Sequence, residues 1–221
     1  MNPKLKGFDA TTSKPVCFPR PEHWTIEGAG NNATAAFASW APPSSLIPMY
    51  TTSYNESNIF DPAYNCLYEH DNWDNKKLMP ALATGHTVSD DGKAWVITLR
   101  RGVEWYSGEG FTAADVRFTW DTILNRAYGS LLQAGLRTVL GGEGAYSVTG
   151  RHEITVELPQ YNMLFFDWVM GCMAIMPEHA YKDTKPEGLR GHTTSTWLGT
   201  HAVKKSDGKT HAACGGVGTG P

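Results

Sequence analysis

Residues 78–120 constrain the possible fold more than any other stretch, because they carry strand, turn and helix-start signals in unbroken succession. A tight turn is predicted at residues 89–93, where Asp side chains can bond the backbone two residues on and Gly92 can adopt a positive φ. After the turn, apolar residues occupy every second position: Trp95, Ile97 and Leu99. A period of two is typical of a half-buried strand, so the stretch predicts a β-hairpin with residues 86–88 in its first arm.

A helix start follows the hairpin. Thr112 stands where an N-cap is expected, and Asp115 can complete a capping box and favour the positive end of the helix dipole. Phe111, just before the cap, is placed to pack on Val116 as a hydrophobic staple. Apolar residues then recur at helical spacing along one face: Val116, Trp120, Ile123 and Leu124. The pattern predicts an amphipathic helix packed on the hairpin.

Weaker patterns organise the rest of the chain. Residues 146–158 alternate around a Gly-Arg-His turn and predict a second hairpin. Residues 162–170 predict a short apolar helix capped by Asn162. Residues 55–69 place four small or apolar side chains on one helical face and predict a further helix. The Leu- and Gly-rich residues 129–144 fit no single pattern.

Composition argues against two classes of function. The 221 residues suit one large or two small domains, and a hydrophobic content of 41% is enough for a core. A net charge of −3 with no basic stripe lacks the electrostatic footprint of nucleic-acid binding. The longest apolar region, residues 163–177, is interrupted by Asp167 and is too short to span a bilayer. We expect no nucleic-acid partner and no membrane span, and the N-terminus shows no apolar leader.

The residue pattern favours neither catalysis nor metal binding. His201, His211 and Cys214 are possible soft metal ligands, but their spacing fits no standard zinc site. Asp90 and Asp91 lie in a turn, where carboxylates cap and solubilise rather than face each other across a cleft. The sequence has four cysteines: Cys17, Cys66, Cys172 and Cys214. They can form two disulfides, in any of three pairings, or remain as four thiols. We expect no enzymatic activity, no metal site and no bound cofactor.

Several short motifs occur in an order that resembles the family 5 extracytoplasmic solute-binding proteins of ABC transporters. The motifs are Leu78-Met79-Pro80-Ala81-Leu82-Ala83, Ser89-Asp90-Asp91-Gly92, Leu99-Arg100-Arg101-Gly102-Val103, Phe111-Thr112-Ala113-Ala114-Asp115-Val116, Ala174-Ile175-Met176-Pro177-Glu178-His179 and Gly218-Thr219-Gly220-Pro221. Residues 43–48 resemble an early cleft segment of the family, with Ile47 where a polar residue is usual. The resemblance covers residues 40–221.

The resemblance implies a mixed α/β (α+β) fold of the periplasmic-binding-protein type II, represented here by an incomplete first lobe with its hairpin–helix subdomain and without the second lobe. It divides the chain into four segments. They are a flexible lead-in at 1–30, the start of the lobe I core at 31–50, the lobe I subdomain at 51–180, and a polar loop with the return toward the core at 181–221.

Candidate ligand-binding residues also follow from the resemblance. Ser44, Ser45 and Leu46 are expected beside the cleft, Tyr128 just after the signature helix, and Thr219 and Gly220 near the hinge. Ordinary packing or turn geometry is the alternative for each of them.

Two functional hypotheses remain. The first is a solute-binding module for ABC-transporter uptake, located in the periplasm or otherwise outside the cytoplasm. Its partners would be a membrane permease and a small solute, with an oligopeptide as the default ligand and nickel complexes or oligosaccharides as alternatives. The second is a non-binding fragment or interaction domain with no transport role. One wall of a two-lobed cleft buries only part of a ligand, so binding by this chain alone is expected to be weak.

Overall fold

A computed structural model describes residues 45, 47–50, 64–70, 77–105 and 107–190. The strands are β1 (Tyr68–His70), β2 (Leu78–Pro80), β3 (Ala83–Val88), β4 (Ala94–Leu99), β5 (Tyr146–Gly150) and β6 (Glu153–Glu157). The α-helices are α1 (Ala113–Leu124), α2 (Gln133–Leu140), α3 (Glu178–Tyr181) and α4 (Pro186–Arg190). Three 3-10 turns (Pro48–Tyr50, Arg126–Tyr128, Glu143–Ala145) and a π-helical segment (Phe165–Met170) complete these elements.

Two antiparallel sheets are present among the described residues. The larger has the strand order β3-β4-β6-β5, so that the two hairpins lie side by side through β4 and β6. The smaller pairs β1 with β2. The mixed α/β class expected from the sequence is confirmed by this arrangement.

The turn between β3 and β4 forms as predicted. The backbone N–H of Lys93 donates to the carboxylate of Asp91 at 3.2 Å, which is the local Asx bond expected from this turn composition. Gly92 has a φ of 71°, a value that glycine adopts without steric cost. One face of β4 is buried, with Trp95, Ile97 and Leu99 all in the core. The hairpin prediction is confirmed.

Helix α1 begins with the predicted capping box. The backbone N–H of Ala114 donates to Thr112 Oγ1 at 3.3 Å, and the backbone N–H of Thr112 donates to Asp115 Oδ2 at 2.8 Å. These bonds satisfy amide groups that have no partner within the helix. The predicted apolar stripe is buried along its length: Val116, Trp120, Ile123 and Leu124.

Phe165 joins the sheet to α1 in a single core. Its ring centroid lies 5.2 Å from that of Trp95 on β4 and 6.5 Å from that of Trp120 on α1, both with edge-on geometry. Trp120 also meets Tyr146 of β5, with ring centroids 5.0 Å apart. Edge-to-face contacts of this kind add to the burial of the rings. Helix α1 therefore packs on the sheet that the predicted hairpin helps to form, in direct ring contact with β5 and through Phe165 with β4.

The segment before α3 is held to the first turns of α1 by two hydrogen bonds. The backbone N–H of Met176 donates to Thr119 Oγ1 at 2.8 Å, and that of Glu178 donates to Asp115 Oδ1 at 2.9 Å. Asp115 is buried, so its carboxylate serves both the cap of α1 and the docking of α3. Helix α3 begins just after its N-cap residue, Pro177.

One helix prediction is wrong where it can be checked. Residues 68 and 69, predicted as the end of a helix over 55–69, instead lie in β1, with Tyr68 opposite Pro80 in β2. A short apolar run carries no decisive period, and pairing with a strand about ten residues later selects the extended form. Residues 55–63 lie outside the described residues.

Of the remaining sequence patterns, one predicts its element correctly and one only in part. The second hairpin forms as β5 and β6. Asn162 caps the following segment by accepting from the backbone N–H of Leu164 at 3.0 Å, but the residues after it coil into a π-helix. The unassigned residues 129–144 contain α2.

Other expectations are tested only in part. No disulfide joins Cys66 to Cys172, and Cys17 and Cys214 lie outside the described residues. In the part of the chain that the structure describes, no helix is long and apolar enough to cross a membrane. The predicted segment boundaries remain predictions, although Ile47 and Leu189 belong to one hydrophobic core.

Candidate functional site

The candidate site begins with the segment that carries Ser45. Its hydroxyl oxygen accepts a hydrogen bond from the backbone N–H of Ile47 at 3.1 Å, which forms a turn of the kind that Ser favours. The 3-10 turn Pro48–Tyr50 follows, closed by a bond from the N–H of Tyr50 to the carbonyl of Ile47 at 3.1 Å. Ser45 is only 3% exposed, so in this conformation it shapes the backbone more than it offers a contact surface.

A second turn, just after α1, carries Tyr128. Asn125 ends α1 and accepts from the backbone N–H of Ala127 at 3.0 Å, which starts the 3-10 turn Arg126–Tyr128. Gly129 then adopts a left-handed conformation with φ of 61°, which reverses the chain toward Ser130.

These two turns meet in a contact that we name the Met49–Ser130 junction, comprising residues 47–50 and 126–131. Ser130 Oγ donates to the carbonyl oxygen of Met49 at 2.9 Å, and the backbone N–H of Leu131 donates to the same oxygen at 3.2 Å. Met49 and Ser130 are buried. Two parts of the chain that are 81 residues apart are thereby fixed against each other.

Tyr128 connects the junction to a third element. Its hydroxyl donates to the carbonyl oxygen of Thr184 at 3.4 Å, and α4 packs against the turn that carries it. The ring is half-buried, so one side packs in the protein and the other reaches the surface. Leu131 beside it is 61% exposed.

The structure therefore brings the two describable candidate residues, Ser45 and Tyr128, to the two sides of one junction. Ser44, Leu46, Thr219 and Gly220 lie outside the described residues, and their roles remain predictions. Ser130 was missed by the sequence reasoning. A Gly-Ser pair after a helix signals a turn, but nothing in the sequence indicates that the Ser hydroxyl bonds Met49.

The described tyrosines with the most strongly raised pKa are not among the residues of the junction. Burial raises the pKa of Tyr146, and its hydrogen bond to Asp121 at 2.6 Å raises that pKa further. Burial likewise raises the pKa of Tyr64, whose hydroxyl lies 3.2 Å from that of Tyr181. Burial raises the pKa of Tyr68 to about 12. Such groups hold protons firmly at neutral pH and do not constitute an acid–base pair.

The described residues contain no group of three or more His, Cys, Asp or Glu side chains placed to hold a metal ion. His201, His211 and Cys214 lie outside those residues. The surface of the junction includes the half-buried Tyr128 ring and the exposed side chains of Leu131 and Arg126.

The comparison with protein families decides the class. The model for bacterial extracellular solute-binding proteins, family 5 (middle portion), matches residues 77–221, more than half of the chain. The chain belongs to this family. Within this family 5 protein, the matched region contains β2 to β6, all four α-helices and the Tyr128 side of the junction.

Curated relatives match shorter stretches. The chain is 49% identical over 49 residues to the glutathione-binding protein GsiB of Salmonella choleraesuis, covering 22% of the chain and 10% of the relative. It is 32% identical over 97 residues to di/tripeptide-binding protein 1 of Pseudomonas aeruginosa, covering 41% of the chain and 18% of the relative. The family 5 protein thus spans less than a fifth of the length of these two relatives.

Solved structures show the fold. The oligopeptide-binding protein AppA of Bacillus subtilis, in complex with a nonapeptide, matches with a TM-score of 0.60 at 22% identity, over 67% of this chain and 28% of that one. NikZ of Campylobacter jejuni, in complex with Ni(L-His), matches with a TM-score of 0.58 at 22% identity, over 72% and 30%. The fold expected from the sequence, that of a periplasmic solute-binding protein at partial coverage, is confirmed.

Proposed function

We propose that this family 5 protein takes part in capturing a solute, an oligopeptide by preference, for uptake by an ABC transporter. The observation that carries the proposal is the family match over residues 77–221. Relatives named for binding di- and tripeptides, glutathione and a nonapeptide support the choice of a peptide. The permease of the transporter would be its macromolecular partner, and its place of action would be outside the cytoplasm.

The proposed contact surface for the peptide is the Met49–Ser130 junction. Support comes from the hydrogen bond of Ser130 to Met49, which joins the segment bearing Ser45 to the turn bearing Tyr128. The full proposed set comprises Ser44, Ser45, Leu46, Tyr128, Thr219 and Gly220. A peptide would be held there by its backbone amides and by packing on the Tyr128 ring. The segment divisions at residues 30, 50 and 180 belong to the same proposal.

The proposal can be tested by NMR titration of the full ¹⁵N-labelled chain with a tripeptide up to millimolar concentration. Weak binding is expected, because loss of translational and rotational freedom opposes association and the contact surface is small. Amide shifts should cluster at residues 45, 47–50 and 126–131 and should saturate. A trisaccharide and a nickel–histidine complex serve as alternative solutes in parallel titrations.

A pair of variants separates binding at the junction from binding elsewhere. Tyr128→Ala should reduce the shifts, whereas Tyr161→Ala, which removes a ring that is 65% exposed and outside the junction, should leave them unchanged. If only the sugar or the nickel complex produces saturable shifts, that solute takes the place of the peptide as the proposed ligand. No shifts with any solute would favour the alternative function, an interaction domain without a transport role.

A further inference from the structure

A thiol and an imidazole lie side by side at the end of the π-helical segment Phe165–Met170. Cys172 follows this segment, and its Sγ is 3.4 Å from Nε2 of His70, the last residue of β1. The two residues are 102 positions apart in the sequence, so the pair is a product of the fold. Gly171 permits this close packing, because a Cβ there would clash with the backbone carbonyl oxygen of Asp167 and would come within 2.7 Å of the Leu78 side chain on β2.

Accessibility and charge distinguish this thiol from a packing cysteine. Cys172 is exposed, so small molecules can reach its sulfur. Asp167 Oδ1 lies 3.9 Å from the same Nε2, so a carboxylate adjoins the imidazole. A neighbouring imidazolium in turn stabilises a thiolate, which is the reactive form of cysteine.

Two features of the site oppose ionisation of the thiol. The thiol also lies 3.7 Å from the carbonyl oxygen of Asp167, to which the neutral S–H donates. A helix C-terminus carries partial negative charge, which disfavours an anion. His70 Nε2 and the backbone carbonyl of Asp167 both contact the Cys172 thiol, and the Asp167 carboxylate lies beside His70.

We propose that Cys172 is a thiol-modification site, in which His70 promotes formation of a mixed disulfide with small, non-protein disulfides. The site is separate from the Met49–Ser130 junction and does not depend on the proposed transport function. Disulfides persist in the extracytoplasmic compartments where family 5 proteins act, so the co-reactant suits the setting.

The reaction balances without a further oxidant. The Cys172 proton passes to His70 Nε2, and the resulting thiolate attacks one sulfur of the disulfide R–S–S–R. A new S–S bond forms to Cys172 as the original S–S bond breaks. The departing thiolate R–S⁻ takes the proton from His70, so that one small disulfide and one protein thiol yield a mixed disulfide and one small thiol.

The test uses the full chain with excess oxidised glutathione at neutral pH. Samples are quenched with acid and alkylated, and peptide mass spectrometry reports the occupancy of each cysteine separately. Cys172 should be modified faster in the wild type than in His70→Gln, by about threefold to tenfold. If His70 raises the thiolate fraction of Cys172 about tenfold, the stabilised thiolate is about threefold less nucleophilic, and the net gain in rate is about threefold. If His70 raises that fraction about a hundredfold, nucleophilicity falls about tenfold, and the net gain is about tenfold.

Controls distinguish promotion by His70 from a structural effect. His179→Gln removes another exposed histidine, which bonds Ser107, and should leave the rate at Cys172 unchanged. The pH midpoint of the rate should move up in His70→Gln and, by less, in Asp167→Asn, whereas a loosened fold would alter the rate without moving the midpoint. Melting temperatures of all variants identify any that unfold. If His70→Gln unfolds, the pH midpoint of the rate in Asp167→Asn decides the test. Equal rates and midpoints in wild type and variants, or a Cys172 that stays unmodified, would overturn the proposal.

Discussion

The β3–β4 hairpin and the Met49–Ser130 junction are both held by turns and hydrogen bonds, yet they depend on the sequence at very different distances. The hairpin turn is closed by bonds within five residues, such as that from the N–H of Ala94 to Ser89 Oγ at 2.9 Å. The junction depends on a bond between Ser130 and Met49, which are 81 residues apart. The hairpin can therefore be predicted from the sequence. The junction, where we propose that the ligand binds, forms only when the chain has folded.

The difference has an energetic side. The sheet and α1 share a continuous apolar core, so removing one large side chain affects both. The junction depends on a few buried polar contacts, each of which contributes modestly. We therefore expect the free energy of unfolding to be far more sensitive to changes in the core than to changes at the junction.

The largest effect is expected from Trp120→Ala. Trp120 is fully buried between Phe165 and Tyr146, so truncation removes both ring contacts and leaves a cavity. The free energy of unfolding should fall by about 3–5 kcal/mol, measured by urea denaturation of the full chain. Tyr161→Ala, at an exposed ring, is the control and should change it little. A small loss for Trp120→Ala would mean that the sheet and α1 do not share one cooperative core.

Asp115→Ala is expected to have the next largest effect. It leaves the backbone N–H groups of Thr112 and Glu178 without their acceptor, so that both the cap of α1 and the docking of α3 are weakened. A loss of about 2–3 kcal/mol is expected in the same denaturation assay. Asp90→Ala, at an exposed turn position, is the matched control. If the two substitutions cost the same, the hydrogen bonds of the Asp115 carboxylate do not stabilise the fold.

Ser130→Ala tests the junction directly. The buried hydroxyl donates to the Met49 carbonyl and accepts from the N–H of Leu132 at 3.2 Å, so its removal should cost about 1 kcal/mol. Hydrogen exchange should rise at residues 47–50 and 130–132, while that of the sheet stays unchanged. Ser147→Ala, on an exposed strand position, should alter neither. Faster exchange throughout the sheet would show that the junction is not an independent unit.

The smallest effect concerns pH. Burial lowers the pKa of His86, which packs against Trp95 and Phe166, so the unfolded chain binds this proton more readily than the folded chain. Stability from the neutral ring is thus complete above pH about 6.5 and is lost as pH falls through that value toward the folded pKa.

Comparison of wild type with His86→Gln isolates this contribution. The variant should show a flatter decline of unfolding free energy between pH 8 and pH 5, whatever constant cost the lost bond to Tyr68 adds. Burial raises the pKa of Glu69, which acts in the opposite direction, but Glu69 is present in both proteins and cancels in the difference. Parallel pH profiles would mean that His86 titrates alike in the folded and unfolded chains.

Local signals predicted much of the fold correctly. The turn at Gly92, the alternation through Trp95 and the box between Thr112 and Asp115 each involve residues within a few positions of one another. The helix predicted through residue 69 was wrong because four apolar side chains in a short run fit a helix and a strand almost equally. Pairing of Tyr68 with Pro80 settled the question in favour of β1.

By itself, the sequence determined the secondary structure of the hairpins and α1 and the order of motifs by which the family is known, because short-range hydrogen bonds and side-chain periodicity fix both. Only the tertiary structure decided that Phe165 joins Trp95 to Trp120, that Ser130 meets Met49 and that His70 meets Cys172. These contacts depend on how separate elements pack in space. The spacing of residues along the chain does not indicate which distant surfaces will meet.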